Sequence, residues 1–525
     1  MFAYILSTLS LLIVTLFLCV CYYFKKSHEF FSQYGIPHLK PHWLFGNMKD
    51  VVLMKKALWL GMKEMYQKLP SEKFAGVYTL YTPSVMIRDP ELIKVILIKD
   101  FSYFQDRGIP TYREVEPMSD NLFTLTGDDW KNLRIKLTST YTSLKMKMMF
   151  PLVKKCAEDI RPALDKYFES GQDFEGKDLA ARFMTDVIGS CAFGVDTHSL
   201  EDPDSEFRKM GRNIFVPRWQ AILRLLVPAI PASFVKHFKL QFFALEICDY
   251  FMKIVKDMVK YRAENQVTRG DFLDLLIEMK NSKDSEKVKD EQTEADLSKF
   301  MSQIGKQMVK KDVDLTIELM AAQCFIFFVG GFEGGASTIM YMLFELAQHP
   351  EIQDKVRQEI LSTLESNEGE LTYEMMKSMT YLNMVIDETL RRYPVGGALL
   401  LRECRENYKI PDSNAIIKKG TRVIIPAIGL HYDEKYYEKP DEFYPEHFSE
   451  EAKSKRHHFA YMPFGEGPRI CIGQRFAKMQ LIVGAIYLLK DFAFELSPKT
   501  KVPLEYSFGG LMLVKDGIWL RCQPL

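Results

Sequence analysis

The sequence has no excess of charge of either sign. Its 525 residues include 69 basic and 69 acidic side chains, so the formal net charge at pH 7 is zero. Nucleic acid is therefore not expected as a partner, because proteins that bind it carry an excess of Lys and Arg. The sequence also lacks an internal repeat and a glycine-rich strand–loop–helix of the kind that binds dinucleotides. These absences favour a large globular protein with an ample core, consistent with its 47% apolar residues.

Cysteine is scarce, and its positions follow no pattern. The nine cysteines are odd in number and scattered along the chain. A disulfide framework would need paired, regularly spaced cysteines, whereas scattered ones are typical of reduced thiols in the cytosol. Only Cys471 stands in a setting that indicates chemistry.

A long apolar run occupies the amino terminus. Residues Phe2 to Phe24 include no charged side chain, and a helix of this length crosses a bilayer core of about 30 Å. Lys25 and Lys26 follow directly, which places the following chain in the cytosol by the positive-inside rule. The alternative, a cleaved signal peptide, would have a basic amino-terminal region and a small-residue cleavage site. We expect an uncleaved membrane anchor over residues 1–26.

The anchor is followed by a segment rich in proline and glycine. Within residues 27–48, Pro37 and Pro41 prevent a helix from continuing, so we expect a stiff, extended hinge. The composition marks no further linker, and residues 49–525 are expected to form one domain.

The pattern of apolar residues predicts a mainly α protein with a small β portion. Alternating runs over 74–81 and 84–88 predict strands, and most of 90–390 has the period of amphipathic helices. The charged interval Lys280–Lys311 predicts an exposed loop with partial helix. The alternating stretch Val502–Pro524 predicts a terminal hairpin.

A long helix is predicted from Asp314 to Gln348, where His349-Pro350 stops it. Its interior contains the pairs Gly330-Gly331 and Gly334-Gly335, and each glycine costs about 1 kcal/mol relative to alanine. Two interpretations remain open. A flat ligand could lie close against the helix, or the small residues could pack against another helix.

Cys471 lies in the run Phe464–Gly473, which reads FGEGPRICIG. Its glycines permit a tight turn with positive φ and a close backbone approach. A helical pattern begins at Gln474, so the cysteine stands before a helix amino terminus, where free N–H groups and the dipole favour a thiolate. A single thiolate on a stiff loop suits an axial ligand of haem iron. The alternative is a buried structural cysteine in a glycine-rich turn.

This run resembles the haem-binding loop of the cytochrome P-450 family. Phe464, Arg469, Cys471 and Gly473 all fall at the family's spacing, and the resemblance makes Cys471 the iron ligand. It also implies the family's helical haem domain, here preceded by one transmembrane helix.

Two further motifs resemble the same family. Glu388-x-x-Arg391, followed by Arg392–Pro394, is similar to the K-helix motif that stabilises the fold around the cysteine loop. Trp130-x-x-x-Arg134 is similar to the C-helix element that reaches a haem propionate, since residues i and i+4 share a helix face.

The resemblance assigns roles to other side chains. Guanidinium groups suit planar carboxylates, so the expected cofactor contacts are Trp130, Arg134, Arg402 and Arg469, with Phe464 and Gly473 around the ligand. The expected substrate contacts are Phe325, Phe328 and Phe332. A basic surface for an acidic electron donor would be formed by Lys131, Lys136, Lys145, Lys147, Lys453, Lys455 and Arg456.

The chain departs from the family's pattern at two positions. Glu333 is kept in the oxygen-side motif, but Gly334 stands where the family has threonine, so no hydroxyl is present to hold a water. We expect Glu333, with Ser337 one turn later, to relay protons through water, and peroxide to leak. His447 stands where an arginine normally completes the Glu388–Arg391 pair, so the brace is expected to be altered.

The function implied by the resemblance is a haem-thiolate monooxygenase that inserts one oxygen atom of O2 into apolar substrates. Those substrates would be xenobiotics, plant toxins, insecticides or endogenous lipids and hormones, because the chain looks most similar to arthropod microsomal members. The cofactor would be haem b, iron protoporphyrin IX. NADPH electrons would arrive through NADPH–cytochrome P-450 reductase, with cytochrome b5 as an optional second donor, at the endoplasmic reticulum membrane.

Two alternatives use the same thiolate. A haem-thiolate isomerase or dehydratase would act on lipid hydroperoxides, with no reductase and no acid–alcohol pair. A non-catalytic haem-thiolate protein would bind apolar ligands without turnover.

Overall fold

The structure, a computed structural model, describes residues 2–109, 113, 115–215, 237–239, 241, 243–281, 313–508 and 511–525. The helices of these residues are α1 (Phe2–His28), α2 (Phe30–Gln33), α3 (Lys49–Val52), α4 (Leu58–Gln67), α5 (Pro90–Lys94), α6 (Gly127–Thr138), α7 (Ser143–Glu158), α8 (Ile160–Ser170), α9 (Gly176–Ile188), α10 (Glu206–Phe215), α11 (Leu245–Asn265), α12 (Phe272–Asn281), α13 (Ile317–Gln348), α14 (Pro350–Glu365), α15 (Met375–Ser378), α16 (Thr380–Arg392), α17 (Ala427–His431), α18 (Glu450–Lys455) and α19 (Gln474–Leu489).

The strands are short and belong to separate sheets. They are β1 (Phe74–Thr79), β2 (Thr82–Ile87), β3 (Phe174–Glu175), β4 (Leu400–Glu403), β5 (Tyr408–Lys409), β6 (Ile416–Ile417), β7 (Arg422–Ile425), β8 (Phe492–Leu496) and β9 (Trp519–Pro524). The largest sheet has the order β1-β2-β7-β4, in which β2 and β7 are parallel and the other pairs antiparallel. The prediction of a mainly helical protein with a small β portion is confirmed.

Helix α13 lies at the centre of the larger hydrophobic core. It begins where the Thr316 side chain accepts a hydrogen bond from the N–H of Leu319, and it ends at His349 before Pro350. It packs most extensively on α9 and also contacts α11, α16 and α19. Helix α19 begins three residues after Cys471, and it contacts the glycine-rich part of α13, where Gln480 Nε2 donates to Gly331 O at 3.4 Å.

The proline-rich segment after α1 pairs with the edge strand β1. The N–H of Gly76 donates to Pro37 O at 2.7 Å, and the N–H of Leu39 donates to Gly76 O at 3.2 Å. Further along, the N–H of Asn47 donates to Tyr78 O at 2.7 Å. The segment is thus attached to the sheet along most of its length. The division into anchor, hinge and catalytic domain stays a prediction.

The carboxyl-terminal strand pairs with strands outside the hairpin that was predicted over residues 502–524. β9 pairs with β3 and β8, while within 502–524 the bridge is between Tyr506 and Val514. Gly509-Gly510 and most of the charged loop predicted over Lys280–Lys311 lie outside the described residues.

Two described stretches are long and apolar enough to span a membrane by length and composition. One is Ser7–Gln33, with none of its apolar window buried, and the other is Ile317–Gln348, with 67% of its window buried. Burial identifies the second as the core helix α13, which leaves the amino-terminal helix as the candidate anchor.

Candidate functional site

The loop before α19 holds Cys471 in a fixed position. The N–H of Cys471 donates to Phe464 O at 2.9 Å. Gly465 and Gly467 have φ of +75° and +74°, a region that suits glycine. A β-carbon on Gly467 would also lie 2.2 Å from Leu97 O. Both glycine requirements expected from the sequence, positive φ and close approach, therefore meet at Gly467.

Opposing influences act on the Cys471 thiol. Cys471 is exposed to solvent, but desolvation by the atoms packed around it raises the pKa of its thiol, whereas the N–H of Gly473 and the positive charges of Arg134 and Arg107 lower that pKa. These groups would stabilise a sulfur that carries negative charge as a metal ligand. A single thiolate on a fixed loop is a donor that suits haem iron.

Arginine side chains gather near the cysteine. Burial lowers the pKa of Arg107, Arg134 and Arg402, and Arg107 is also destabilised by the charges of the other two. Among the described residues the buried Nε of Arg402 has no hydrogen-bond partner, while its Nη1 donates to Leu401 O at 2.8 Å. Buried positive charge with spare donors fits an anionic ligand with planar carboxylates.

Arg469 has a different set of contacts. Its Nε, Nη1 and Nη2 donate to the carbonyl oxygens of Gln105, Leu122 and Leu125 at 3.0, 3.3 and 2.7 Å. Its guanidinium lies 3.8 Å from the centre of the Trp130 ring. Arg469 thus joins the cysteine loop to the segment before α6, and its contact with a propionate stays a prediction.

The sequence alone did not point to Arg107. Its Nη2 donates to Arg469 O at 3.2 Å and its Nη1 to Phe123 O at 2.9 Å. Because 362 residues separate Arg107 from Arg469, spacing carries no signal for this contact. Only the fold brings the two together.

The four glycines of α13 divide into two pairs. A β-carbon on Gly330 or Gly334 would meet no heavy atom within 4 Å. A β-carbon on Gly331 would lie 2.9 Å from Ile188 Cδ1, and one on Gly335 would lie 2.7 Å from Met184 Sδ. Gly331 and Gly335 let α9 approach, whereas Gly330 and Gly334 leave space beside α13. Both interpretations of the glycines therefore have a physical basis.

Glu333 is buried and ion-paired. Its Oε1 lies 2.6 Å from Lys177 Nζ on α9 and accepts a hydrogen bond from Ser337 Oγ at 3.1 Å. The hydroxyl of Thr338 donates instead to Gly334 O at 2.7 Å. The structure thus joins Glu333 and Ser337, as the proposed relay requires, and it adds Lys177, which no motif indicated.

The three predicted substrate contacts lie among other aromatic rings. The ring of Phe325 lies 5.0 Å from that of Phe243, and Phe328 stacks on Phe332 at 5.2 Å. Phe325 and Phe328 are fully buried. Near them on α13, Gly330 is exposed and Ile326, Phe327 and Val329 are half-buried. Substrate contact by the three phenylalanines stays a prediction.

Glu388 and Arg391 form a fully buried bidentate ion pair. Arg391 Nε donates to Glu388 Oε2 at 2.7 Å, and Nη2 donates to Oε1 at 2.8 Å. His447 Nδ1 lies 3.2 Å from Glu388 Oε1, and its Nε2 lies 2.7 Å from Glu438 O. Glu388 Oε1 and Glu438 O are both hydrogen-bond acceptors. His447 can therefore donate to both of them only when each of its ring nitrogens carries a hydrogen. The structure therefore places His447 where the expected arginine would act.

His431 connects this ion pair to the cysteine loop. Its Nδ1 lies 3.0 Å from Arg391 O, and its Nε2 accepts the N–H of Met462 at 3.1 Å. Its own carbonyl accepts Arg391 Nη1 at 2.7 Å. Because one ring nitrogen must donate and the other accept, the neutral imidazole fits both partners. Met462 lies two residues before Phe464, so His431 links the buried ion pair to the cysteine loop.

We expect His431→Leu to weaken the hold on the cysteine loop, because it leaves the N–H of Met462 and the carbonyl of Arg391 without partners. Each buried unsatisfied group costs about 1–3 kcal/mol. His431→Gln keeps an acceptor and a donor and should recover most of the loss. Thermal unfolding and the fraction of thiolate-type band in the reduced, CO-bound spectrum measure the two effects; equal behaviour of the two variants would contradict the linking role.

The same histidine affects stability in acid. Burial, with the charge of Arg391, lowers the pKa of His431 to about 3 from its ordinary 6.5. Protons therefore bind preferentially to the unfolded chain, and this contribution to stability is lost as pH falls from 6.5 towards 3. His431→Gln should flatten that part of the acid unfolding curve.

The basic surface expected for an electron donor is largely ion-paired. Lys453 and Lys455 lie 2.9 and 2.6 Å from Glu450 and Glu451, and Lys131 is buried. Beside the cysteine loop lies a cavity of about 240 Å³ whose lining includes His457, His458, Lys478, Glu466 and Phe464. The face is thus mixed in charge.

The fold and the cysteine site together define a haem-thiolate oxidoreductase, and comparison with known proteins agrees. The sequence model of the family described as "Cytochrome P450" matches residues 36–303 and 297–521. "Probable cytochrome P450 6a14" of Drosophila melanogaster is 39% identical over 506 residues, 95% of this chain and 96% of that protein. "Cytochrome P450 6a9" and "Cytochrome P450 6a2" of the same organism are 38% and 37% identical, over 95% and 98% of this chain and 95% and 99% of their own lengths.

The chain belongs to the cytochrome P450 family and resembles its arthropod members. Family membership implies a monooxygenase with haem iron, O2 and an electron donor. The residues present fit haem: Cys471 provides one thiolate, Arg402 has a buried spare donor, and Gly330 and Gly334 leave room beside α13. The interpretation of Cys471 as an iron ligand is thereby favoured over a structural cysteine.

Proposed function

We propose that the chain is a microsomal monooxygenase that oxidises apolar xenobiotics, plant toxins, insecticides or endogenous lipids and hormones with NADPH electrons from NADPH–cytochrome P450 reductase. Cys471, held at the amino terminus of α19 beside a buried arginine cluster, is the observation that carries the proposal. Haem b, when bound, supplies activation of O2 and insertion of one oxygen atom. The candidate anchor supports the endoplasmic reticulum membrane as the location, with cytochrome b5 as an optional second donor.

The protein's own residues would orient that cofactor and its protons. Arg134 and Arg402 would hold the propionates, with Arg107 beside them, and Cys471 would bind the iron. Glu333 Oε1, between Lys177 and Ser337, would hold or release a proton through water. Phenylalanines around α13 would exclude water from the substrate's surroundings.

Reconstitution tests this proposal directly. The full-length protein, incorporated in phospholipid vesicles with the reductase, should form hydroxylated product from an apolar substrate only when NADPH is present. Screening terpenoids, fatty acids and insecticides in that assay identifies the substrate class. Binding spectra without turnover would instead favour the non-catalytic ligand-binding protein.

One observation supports the runner-up, a haem-thiolate isomerase or dehydratase of lipid hydroperoxides. Gly334 replaces the hydroxyl that oxygen activation normally uses, and those reactions need no such hydroxyl. Turnover of a fatty-acid hydroperoxide, with none on NADPH and reductase, would select this function.

We expect Gly334→Thr to improve coupling of NADPH consumption to product. The added side chain fits, since a β-carbon there meets no atom within 4 Å, and its hydroxyl can hold a water near Glu333. One hydrogen bond is worth about 0.5–1.5 kcal/mol, which predicts a two- to tenfold fall, roughly, in peroxide released per NADPH. Peroxide and product are measured together in the reconstituted system.

Gly334→Val is the matched control for this substitution, because valine has the same shape without a hydroxyl. It should leave the peroxide yield near that of the unchanged protein. An equal improvement by valine would show that filled space, and not the hydroxyl, controls the leak.

A further inference from the structure

Gln323 is a buried polar side chain of α13 that the proposed mechanism does not use. It is 2% exposed. Its Oε1 accepts the N–H of Leu122 at 3.0 Å, and its Nε2 donates to Asp120 O at 3.1 Å. Nε2 also donates to Leu319 O, on its own helix, at 3.1 Å. The oxygen and both hydrogens of this amide therefore have partners, and two of those partners belong to the segment before α6.

The same segment is bound from the other side by two arginines. Arg469 Nη1 and Nη2 donate to Leu122 O and Leu125 O at 3.3 and 2.7 Å. Arg107 Nη1 donates to Phe123 O at 2.9 Å, and its Nη2 donates to Arg469 O at 3.2 Å. Leu122 is thus held through its N–H by α13 and through its carbonyl by the cysteine loop.

Local hydrogen bonds shape this segment but do not attach it to the rest of the fold. Asn121 Oδ1 accepts the N–H groups of Phe123 and Thr124 at 3.0 and 3.3 Å. These bonds lie within the segment, so they would move with it. Gln323 and Arg469, by contrast, bind it to α13 and to the cysteine loop.

We propose that Gln323 is a positioning residue for Arg107 and Arg469: it fixes the segment 120–125, whose carbonyl groups orient both guanidinium groups near Cys471. The proposal rests on the proposed function, in which Arg107 lies beside the residues that would hold haem. Hydrogen bonds weaken steeply away from their ideal distance and angle, so a displaced segment would release the two arginines.

Arg469 depends on these carbonyl groups because it is buried. Burial, with the charges of Arg107 and Arg402, lowers the pKa of Arg469 to about 7. Asp106 Oδ1 lies 3.5 Å from its Nη2, which is longer than an ordinary hydrogen bond. Two of its three carbonyl partners belong to the segment that Gln323 holds. The position of that segment therefore determines how the guanidinium charge is stabilised and where it points.

Hydrogen exchange and haem release test the proposal on full-length holoprotein. Gln323→Met keeps a side chain of similar length but removes the amide, so the N–H of Leu122 should exchange faster. Haem should pass to excess apomyoglobin roughly tenfold faster, the change expected when about one hydrogen bond is lost. Gln323→Glu keeps an acceptor for Leu122 but loses the donor to Asp120, so both effects should be smaller. It also provides the test if the methionine variant does not fold.

Gln353→Met is the matched control, because Gln353 is also a buried glutamine, 3% exposed, whose amide binds backbone groups. Its Nε2 donates to Leu346 O and Phe494 O at 3.0 Å, and its Oε1 accepts the N–H of Phe494 at 2.8 Å. This substitution should lower thermal stability to a similar extent. It should leave haem release and the exchange of the Leu122 N–H unchanged.

Unchanged haem release and unchanged exchange in folded Gln323→Met or Gln323→Glu protein would overturn the proposal. An equal effect of Gln353→Met on haem release would overturn it too. If the unchanged protein itself forms no thiolate-type CO spectrum, the cofactor of the proposed function is wrong, and this proposal falls with it. A thiolate-type spectrum in unchanged protein, combined with no effect of the Gln323 substitutions, removes only the positioning role.

Discussion

Replacing Cys471 with serine should abolish the thiolate-type band of the reduced, CO-bound protein, together with NADPH-dependent product formation, while the chain still folds. A serine hydroxyl does not supply the thiolate that this class of haem protein requires. The loop itself depends little on the sulfur, since its bond at this position runs from the N–H of residue 471 to Phe464 O. The CO difference spectrum and far-UV circular dichroism of full-length protein measure the two properties separately.

Cys404→Ser is the matched control for that substitution. Cys404 is also free and is buried, and its Sγ lies 2.8 Å from Glu406 O. A serine hydroxyl can donate to the same carbonyl, so this variant should keep the thiolate-type band. A persistent band in Cys471→Ser protein, or its loss from folded Cys404→Ser protein, would show that Cys471 is not the ligand.

Features set by neighbouring residues could be predicted from the sequence. The end of α13 follows from Pro350, as predicted, whereas its start lies at Ile317, where Thr316 caps it, and not at the predicted Asp314. The strands near residues 74 and 87 follow from alternation of apolar residues. The loop before α19 was identifiable because its glycines and its cysteine stand at a spacing that serves one local geometry.

Features that join distant segments were not predictable in this way. His431 touches Arg391 and Met462, which lie 40 and 31 residues away. Lys177 meets Glu333 across two helices. In both cases the sequence around the residue carries no motif. His431 and Lys177 meet their partners only because α16, α17 and α13 pack against neighbouring elements.

The glycines of α13 show where the sequence argument reached its limit. The cost of four glycines inside a helix indicated that they have a role. The sequence left two explanations open, a ligand or a neighbouring helix packed against them. Which explanation applies to each glycine depends on the rotation of α13 relative to α9. That rotation turns Gly331 towards Ile188 and Gly335 towards Met184. Periodicity alone does not specify that rotation.

Replacing Arg391 with methionine should lower the free energy of unfolding by about 3–5 kcal/mol, the largest stability effect expected in this chain. Glu388 and Arg391 are both 0% exposed, and the guanidinium also donates to His431 O and Pro440 O. Removal of one partner from a buried pair costs about 3–5 kcal/mol, against a total stability of about 5–15 kcal/mol. The yield of soluble protein and the midpoint of urea unfolding measure the loss.

Acid should act on the intact pair in a defined direction. Burial is the largest influence on Glu388 and by itself would raise its pKa, but the hydrogen bonds and charges of Arg391 and His447 lower it below the ordinary value of 4.5. A lowered folded-state pKa means that the pair contributes stability above pH 4.5, and that this contribution is lost as pH falls through the folded value.

The double variant Glu388→Gln/Arg391→Met distinguishes the stability cost of an unpaired buried charge from the cost of the lost packing. Replacing both members of a buried pair costs less than replacing one, because no uncompensated charge remains in the interior. The double variant should therefore unfold at a higher urea concentration than Arg391→Met alone, and its stability should no longer depend on the titration of Glu388. A double variant no more stable than the single one would assign the loss to the carbonyls of His431 and Pro440, which both variants leave without their donor.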